Sequence, residues 1–122
     1  MDASICNTIF DQVIVDYHKT DDVDQPFQNP HPADDFKHLL YRKNWIDTVQ
    51  WHLEDLIRDP DNSGAEITKL KRRIDKSNQD RTDLVEKIDD WFLAEFRDAP
   101  AKPTARINTE TPAWAIDRLS IL

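Results

Sequence analysis

The sequence is poor in the residues that make tight loops and cross-links. Its 122 residues include one glycine and one cysteine. A single cysteine excludes an intrachain disulfide framework and a cysteine-based zinc site. A single glycine leaves no glycine-rich phosphate loop and no Gly-x-Ser-x-Gly nucleophile elbow. No uninterrupted apolar run approaches the roughly 20 residues needed to span a bilayer. The N-terminus has neither a basic stretch nor an apolar segment of signal-peptide type. Bases are also short, with 16 Lys and Arg against 24 Asp and Glu, a net charge of −8. Phosphate backbones and anionic membranes need a basic face, so neither nucleic acid nor a membrane is an expected partner. A cytoplasmic protein of bacterial type is the reading that remains.

What is present is enough for a core. Hydrophobic residues make up 39% of the chain, with four Trp and five Phe. The length predicts one domain over residues 1–122. The apolar pattern is helical throughout. Ile5, Ile9, Phe10, Val13, Ile14 and Tyr17 recur at three and four residues and predict a helix over 3–18. Residues 21–32 hold Pro26, Pro30 and Pro32 without periodicity and read as an irregular connection. Asp34 or Asp35 is placed to cap a second helix over 35–58, whose stripe runs from Phe36 to Ile57. Asp59-Pro60-Asp61-Asn62-Ser63-Gly64 then breaks it. Ser63, with Glu66 three residues on, has the spacing of a capping box for a third helix over 65–96. At roughly 48 Å that helix exceeds the width of so small a domain, so it either bends or projects. Residues 97–108 form a second irregular link. Thr109 or Thr111 is placed to cap a last short helix, with Pro112 in its first turn. The fold class that follows is all-α: an antiparallel hairpin of two long helices with shorter N- and C-terminal helices, like a four-helix bundle. Leu119-Ser120-Ile121-Leu122 runs on with no stop signal. Such an ending is expected of a truncated chain, or of an end that docks on a partner, and it predicts self-association through the C-terminal helix.

The apolar pattern breaks at one place. Stepping by three and four along the third helix leads from Ile74 to Ser77 and Arg81 before apolar residues resume at Leu84. With the turn near residue 62, residues whose numbers sum to roughly 125 lie opposite each other in the hairpin. Asn44, Asp47 and Gln50 then meet Ser77, Asn78 and Arg81. An arginine at a core position requires a partner, because an isolated buried charge is too costly. Asp47 is the first choice for Arg81, with Asp83, Glu86, Asp55 and Glu54 as alternatives. Two readings follow. The layer fixes helix register, as a polar residue does in a coiled coil. Or it is a ligand site in a helical groove, with Asn44, Asp47, Gln50, His52, Asn78 and Arg81 facing a small anionic ligand.

Three blocks carry a resemblance. They are Trp51-His52-Leu53-Glu54-Asp55-Leu56-Ile57-Arg58, then Asn78-Gln79-Asp80-Arg81-Thr82-Asp83-Leu84-Val85-Glu86, then Ile116-Asp117-Arg118-Leu119-Ser120-Ile121. In this order they resemble an uncharacterised bacterial domain-of-unknown-function family with a Trp-His-x-Glu-Asp helix and an Asn-x-x-Arg-x-Asp-x-x-Glu helix, over residues 38–122. The resemblance implies a helical intracellular protein that continues beyond the last block, with His52, Glu54, Asp55, Arg58, Asn78, Arg81, Asp83, Glu86, Asp117 and Arg118 at motif positions. It implies no activity.

A second functional class is a metal-dependent hydrolase acting on nucleotides or other phosphorylated substrates. Carboxylates three or four residues apart on adjacent helices present oxygens on one face, which suits Mg²⁺. Glu54, Asp55, Asp83 and Glu86 have that spacing, with Arg81 left for the phosphate. Arg58 stands where a further carboxylate of a Glu-Glu-x-x-Glu run would be. The cofactor expectation is therefore none, or a divalent cation such as Mg²⁺. His18, His31, His38 and His52 show no His–His spacing of three or four, while His52 and Asp55, three apart, offer two donors from one helix. Lys69, Lys71, Arg72 and Arg73 read as a solvated face. Trp51, Trp91 and Trp114 are assigned to packing, and Trp45 to the edge of a groove.

Overall fold

The computed structural model describes residues 2–106 and 109–122; Ile107 and Asn108 of the second irregular link lie outside the described residues. The four helices are α1 (Ala3–His18), α2 (Phe36–Ile57), α3 (Gly64–Phe96) and α4 (Pro112–Ile121). Each starts on a side chain that satisfies an otherwise orphaned backbone N–H. Asp2 accepts from the Ile5 N–H, Asp35 from Lys37 and Thr111 from Trp114. Ser63 and Glu66 close a reciprocal capping box, at 3.2 and 3.0 Å. Its removal by Ser63→Ala is expected to cost about 1 kcal/mol in a denaturant titration. A cost near zero would mean that this end of α3 frays even in the wild type.

α2 is the central element and packs against each of the other three helices. The core between them holds Val13 and Tyr17 of α1, Leu40 and Tyr41 of α2, Leu84 and Ile88 of α3, and Ala113 of α4. The ends of α3 overrun this core, leaving Ile67, Leu93 and Phe96 exposed. That overrun is the consequence of a 33-residue helix in a chain this short. The proline-bearing connection after α1 is fixed by its own side chains. Gln25 donates to the Tyr17 carbonyl at 3.0 Å and Asn29 to the His38 carbonyl at 3.0 Å, while Phe27 packs against Trp45.

Two of the tryptophans differ from expectation, while Trp45 both packs inward and lines a surface pocket beside Pro26 and Pro30. Trp45 is a core residue, in ring contact with Tyr17, Phe27 and Tyr41. Trp91 stacks on Phe36, as its stripe requires. Trp51 and Trp114 are instead 62% and 40% exposed. Three elements compete for α2, and the connection after α1 claims the face that carries Trp45. None of the described helices is long and apolar enough to cross a membrane.

Candidate functional site

The polar layer exists, and it is built around different partners from those expected. Phe36, Leu40, Lys43 and Asp47 step along one face of α2 by four, three and four residues. Ala113, Ile116, Asp117 and Ser120 lie on one face of α4 and are all buried. Where the two faces meet α3, four charges are enclosed. Lys43 is completely buried and forms ion pairs with Asp47 and, at 2.8 Å, with Asp117. Arg81 reaches in from α3 and grips Asp117 with two parallel bonds of 2.7 Å, from Nε and from a terminal nitrogen. This is the strong bidentate form of the interaction. The expected Arg81–Asp47 pair is not the main one: its closest approach is 3.8 Å, too long for a hydrogen bond. Two cations and two carboxylates balance, so the layer carries no net charge.

Neutral polar groups complete it. Asn44 donates to the backbone carbonyl and the hydroxyl of Ser120, both at 3.0 Å. The Ser120 hydroxyl donates to Asp47 at 2.6 Å. Asn44 therefore lies against α4 and not against Arg81. The expected hairpin register is displaced by about two to three residues, because Gln50 sits opposite Ser77 and Asn78 and Asp47 opposite Arg81. Gln50 accepts from the Ser77 hydroxyl at 3.0 Å and donates to Asn78 at 2.8 Å, in a more exposed pair of contacts beside the layer.

The two carboxylates are held differently. Burial works against the charge on both. At Asp117 the hydrogen bonds from Arg81 and Lys43 outweigh it, and its pKa lies below the usual carboxylate range. At Asp47 burial prevails over Lys43 and Ser120, and its pKa is pushed up. One observation fits this: Asp47 Oδ1 is buried and has no hydrogen-bond partner. A half-satisfied buried carboxylate is costly.

Above the layer runs an open groove of about 460 Å³, with Asn44, Asp47, Gln50, Arg81 and Ser120 along it and His18, His52 and Glu54 to the side. Of the residues singled out as ligand-facing, five line this groove: Asn44, Asp47, Gln50, His52 and Arg81. Asn78 joins through Gln50.

The carboxylates proposed for Mg²⁺ are not gathered. Glu54 lines the groove, Asp55 pairs with Arg58 at 3.7 Å, and exposed Asp83 accepts from Gln79 at 2.8 Å. Among the described residues these three and Glu86 join no group of three or more close metal-binding donors. Of the basic cluster on α3, Arg73 pairs with Asp24 at 2.8 Å. Lys43, Asp117 and Ser120 escaped the reading of the residue pattern. The four-three-four step from Phe36 to Asp47 carried the signal for Lys43. Asp117 entered only as a motif position.

Comparison with known proteins adds a family and no activity. A family model described as a protein of unknown function (DUF4254) matches residues 37–122. That span contains α2 from its second residue onward, with α3 and α4, and hence all four charged members of the layer. No curated protein and no solved structure matches the chain.

Proposed function

The chain belongs to the DUF4254 family of proteins of unknown function, and we propose that it is a helical binding module whose groove takes a small hydroxylated anion. The carrying observation is Asp47: its Oδ1 is buried without a hydrogen bond, with the Arg81 Nε at 3.8 Å, beneath a groove that Arg81 also lines. A ligand hydroxyl donating to Asp47 would fill the missing hydrogen bond. Arg81 is a quarter exposed and has donors beyond the two it gives Asp117, so an anionic group has a guanidinium to meet. A layer needed only for register would gain nothing from leaving one carboxylate oxygen unsatisfied.

The test is a thermal-shift and NMR titration with a panel of sugar phosphates and hydroxy acids. A saturable shift on the amides of α2 and α4 is expected, lost in Asp47→Asn and weakened in Arg81→Gln. Shifts that persist in both variants, or no shift across the panel, would sink this reading.

A specific observation also supports self-association. Trp114 and Ile121 of α4 are 40% and 48% exposed, and Trp51 lies open on the groove wall at 62%. Trp51 and Ile121 line the same groove, and monomeric proteins seldom leave large apolar patches uncovered. Light scattering over a concentration series is expected to show a dimer that Trp114→Glu dissolves, and a strict monomer at high concentration would remove this half of the proposal.

A further inference from the structure

The two histidines at the side of the groove lie outside the polar layer and have no part in it. His18 ends α1, His52 lies near the end of α2, and Asp21 follows α1 by three residues. One donor atom from each lies within 4.8 Å of the others. We propose that His18, Asp21 and His52 bind a divalent transition-metal ion. The donor set is two imidazoles and one carboxylate. That composition suits Zn²⁺ and its first-row neighbours and disfavours Mg²⁺, which prefers an all-oxygen shell. Donors on a tetrahedral Zn²⁺ stand roughly 3.4 Å apart, given ligand bonds of about 2.0–2.1 Å. His18 and Asp21 are exposed, so their side chains have room to close the remaining gap.

Three further features point the same way. First, the tautomer of His18 is fixed. Its Nδ1 lies 2.7 Å from the Ile14 carbonyl oxygen, which only accepts. Nδ1 therefore carries a proton, and in the neutral ring Nε2 is left to offer its lone pair. Metal-binding histidines characteristically give their other N–H to a carbonyl or carboxylate in this way. Second, the His52 ring is already oriented. It stacks on buried Tyr17 at 4.8 Å and 13°, and meets the His18 ring edge-on at 5.4 Å. Third, Asp21 is the one described non-glycine residue with positive φ, at 53°. Its N–H bonds to the Tyr17 carbonyl at 2.9 Å, ending α1 in a left-handed turn where glycine is the cheaper choice. The chain places a carboxylate there instead, between two imidazoles. The site uses no residue of the polar layer, although His18 and His52 line the same groove, and its test reads metal binding and not the anion of the groove reading.

The experiment uses the full chain, with Co²⁺ followed by its visible absorption, Zn²⁺ by calorimetry, and the histidine ring nitrogens by NMR. Zn²⁺ is expected to move the ring signals of His18 and His52 and to leave His31 and His38 in place. His52→Ala is expected to weaken Zn²⁺ binding by about 100-fold, the upper end of what losing even a supporting hydrogen bond to a ligand costs. Asp21→Gly supplies the decisive contrast. Relief of the left-handed strain should hold or raise the Tm, while Zn²⁺ affinity falls at least tenfold. Three results would each overturn the proposal: no Co²⁺ band at excess metal, Zn²⁺ shifts centred on His31 or His38, or undiminished affinity in both Asp21→Gly and His52→Ala.

Discussion

Replacement of Asp117 by alanine is expected to destabilise the fold by about 3–5 kcal/mol, the cost of breaking a buried ion pair from one side. Asp117 is 3% exposed and holds two cations, Lys43 at 2.8 Å and Arg81 through two bonds of 2.7 Å. Its loss leaves two positive charges facing Asp47 alone, and Lys43 has no route to water. A denaturant titration of Asp117→Ala measures this. A loss below about 1 kcal/mol would mean that water already reaches the layer and the charges are not buried in solution. Adding Lys43→Met should recover part of the loss, because the stranded cation goes with it. The same residue governs the acid limb of stability. Its folded pKa is lowered from 3.8, so its contribution is complete above that value and is lost as the pH falls through the lower, folded one. Asp47 runs the other way. Its folded pKa is raised from 3.8, so its favourable term is present below that value and lost as the pH rises through the folded one. Asp117→Asn should therefore flatten the acid limb, and Asp47→Asn should steepen it. The same slope in both variants would contradict the assignment.

Phe36→Ala is the second large effect, at about 3–5 kcal/mol. Phe36 is the first residue of α2 and is 7% exposed. Its ring stacks on Trp91 at 3.9 Å and meets Phe92 edge-on at 5.7 Å, both on α3. It closes the end of the hairpin remote from the turn, where no loop joins the two helices. Truncation leaves a cavity and forfeits the ring pairs, each worth up to about 1.5 kcal/mol beyond burial. Ile67→Ala is the control, because Ile67 on the overrunning start of α3 is 42% exposed. Its substitution should change stability by no more than about 0.5 kcal/mol. Equal costs at the two positions would show that the aromatic stack is not part of the cooperative core.

Much of the architecture was legible residue by residue. Asp35, Ser63 and Thr111, each among the expected caps, mark helix starts because a side-chain acceptor placed before an apolar stripe satisfies a nearby N–H, and that is a local transaction. The break in the stripe at Ser77 and Arg81 was local too, and it located the polar layer on the correct stretch of α3.

Which partner each polar group takes was not legible. Arg81 prefers Asp117 to Asp47, and Asn44 prefers Ser120 to Arg81, because α4 docks across the hairpin and offers acceptors at shorter range. An antiparallel register read from the turn alone has an error of a few residues, and at 3.6 residues per turn that is enough to exchange one partner for another. His18 and His52 stand 34 positions apart, a separation that no spacing rule recognises, and they meet only because Tyr17 is buried between α1 and α2. The sequence by itself determined the number, limits and polar break of the helices, since periodicity and capping act within one or two turns. The tertiary structure alone decided that Lys43 is sealed, that Asp47 keeps an oxygen without a hydrogen bond, and that two histidines and an aspartate converge, since each depends on which helix arrives to cover or meet the others.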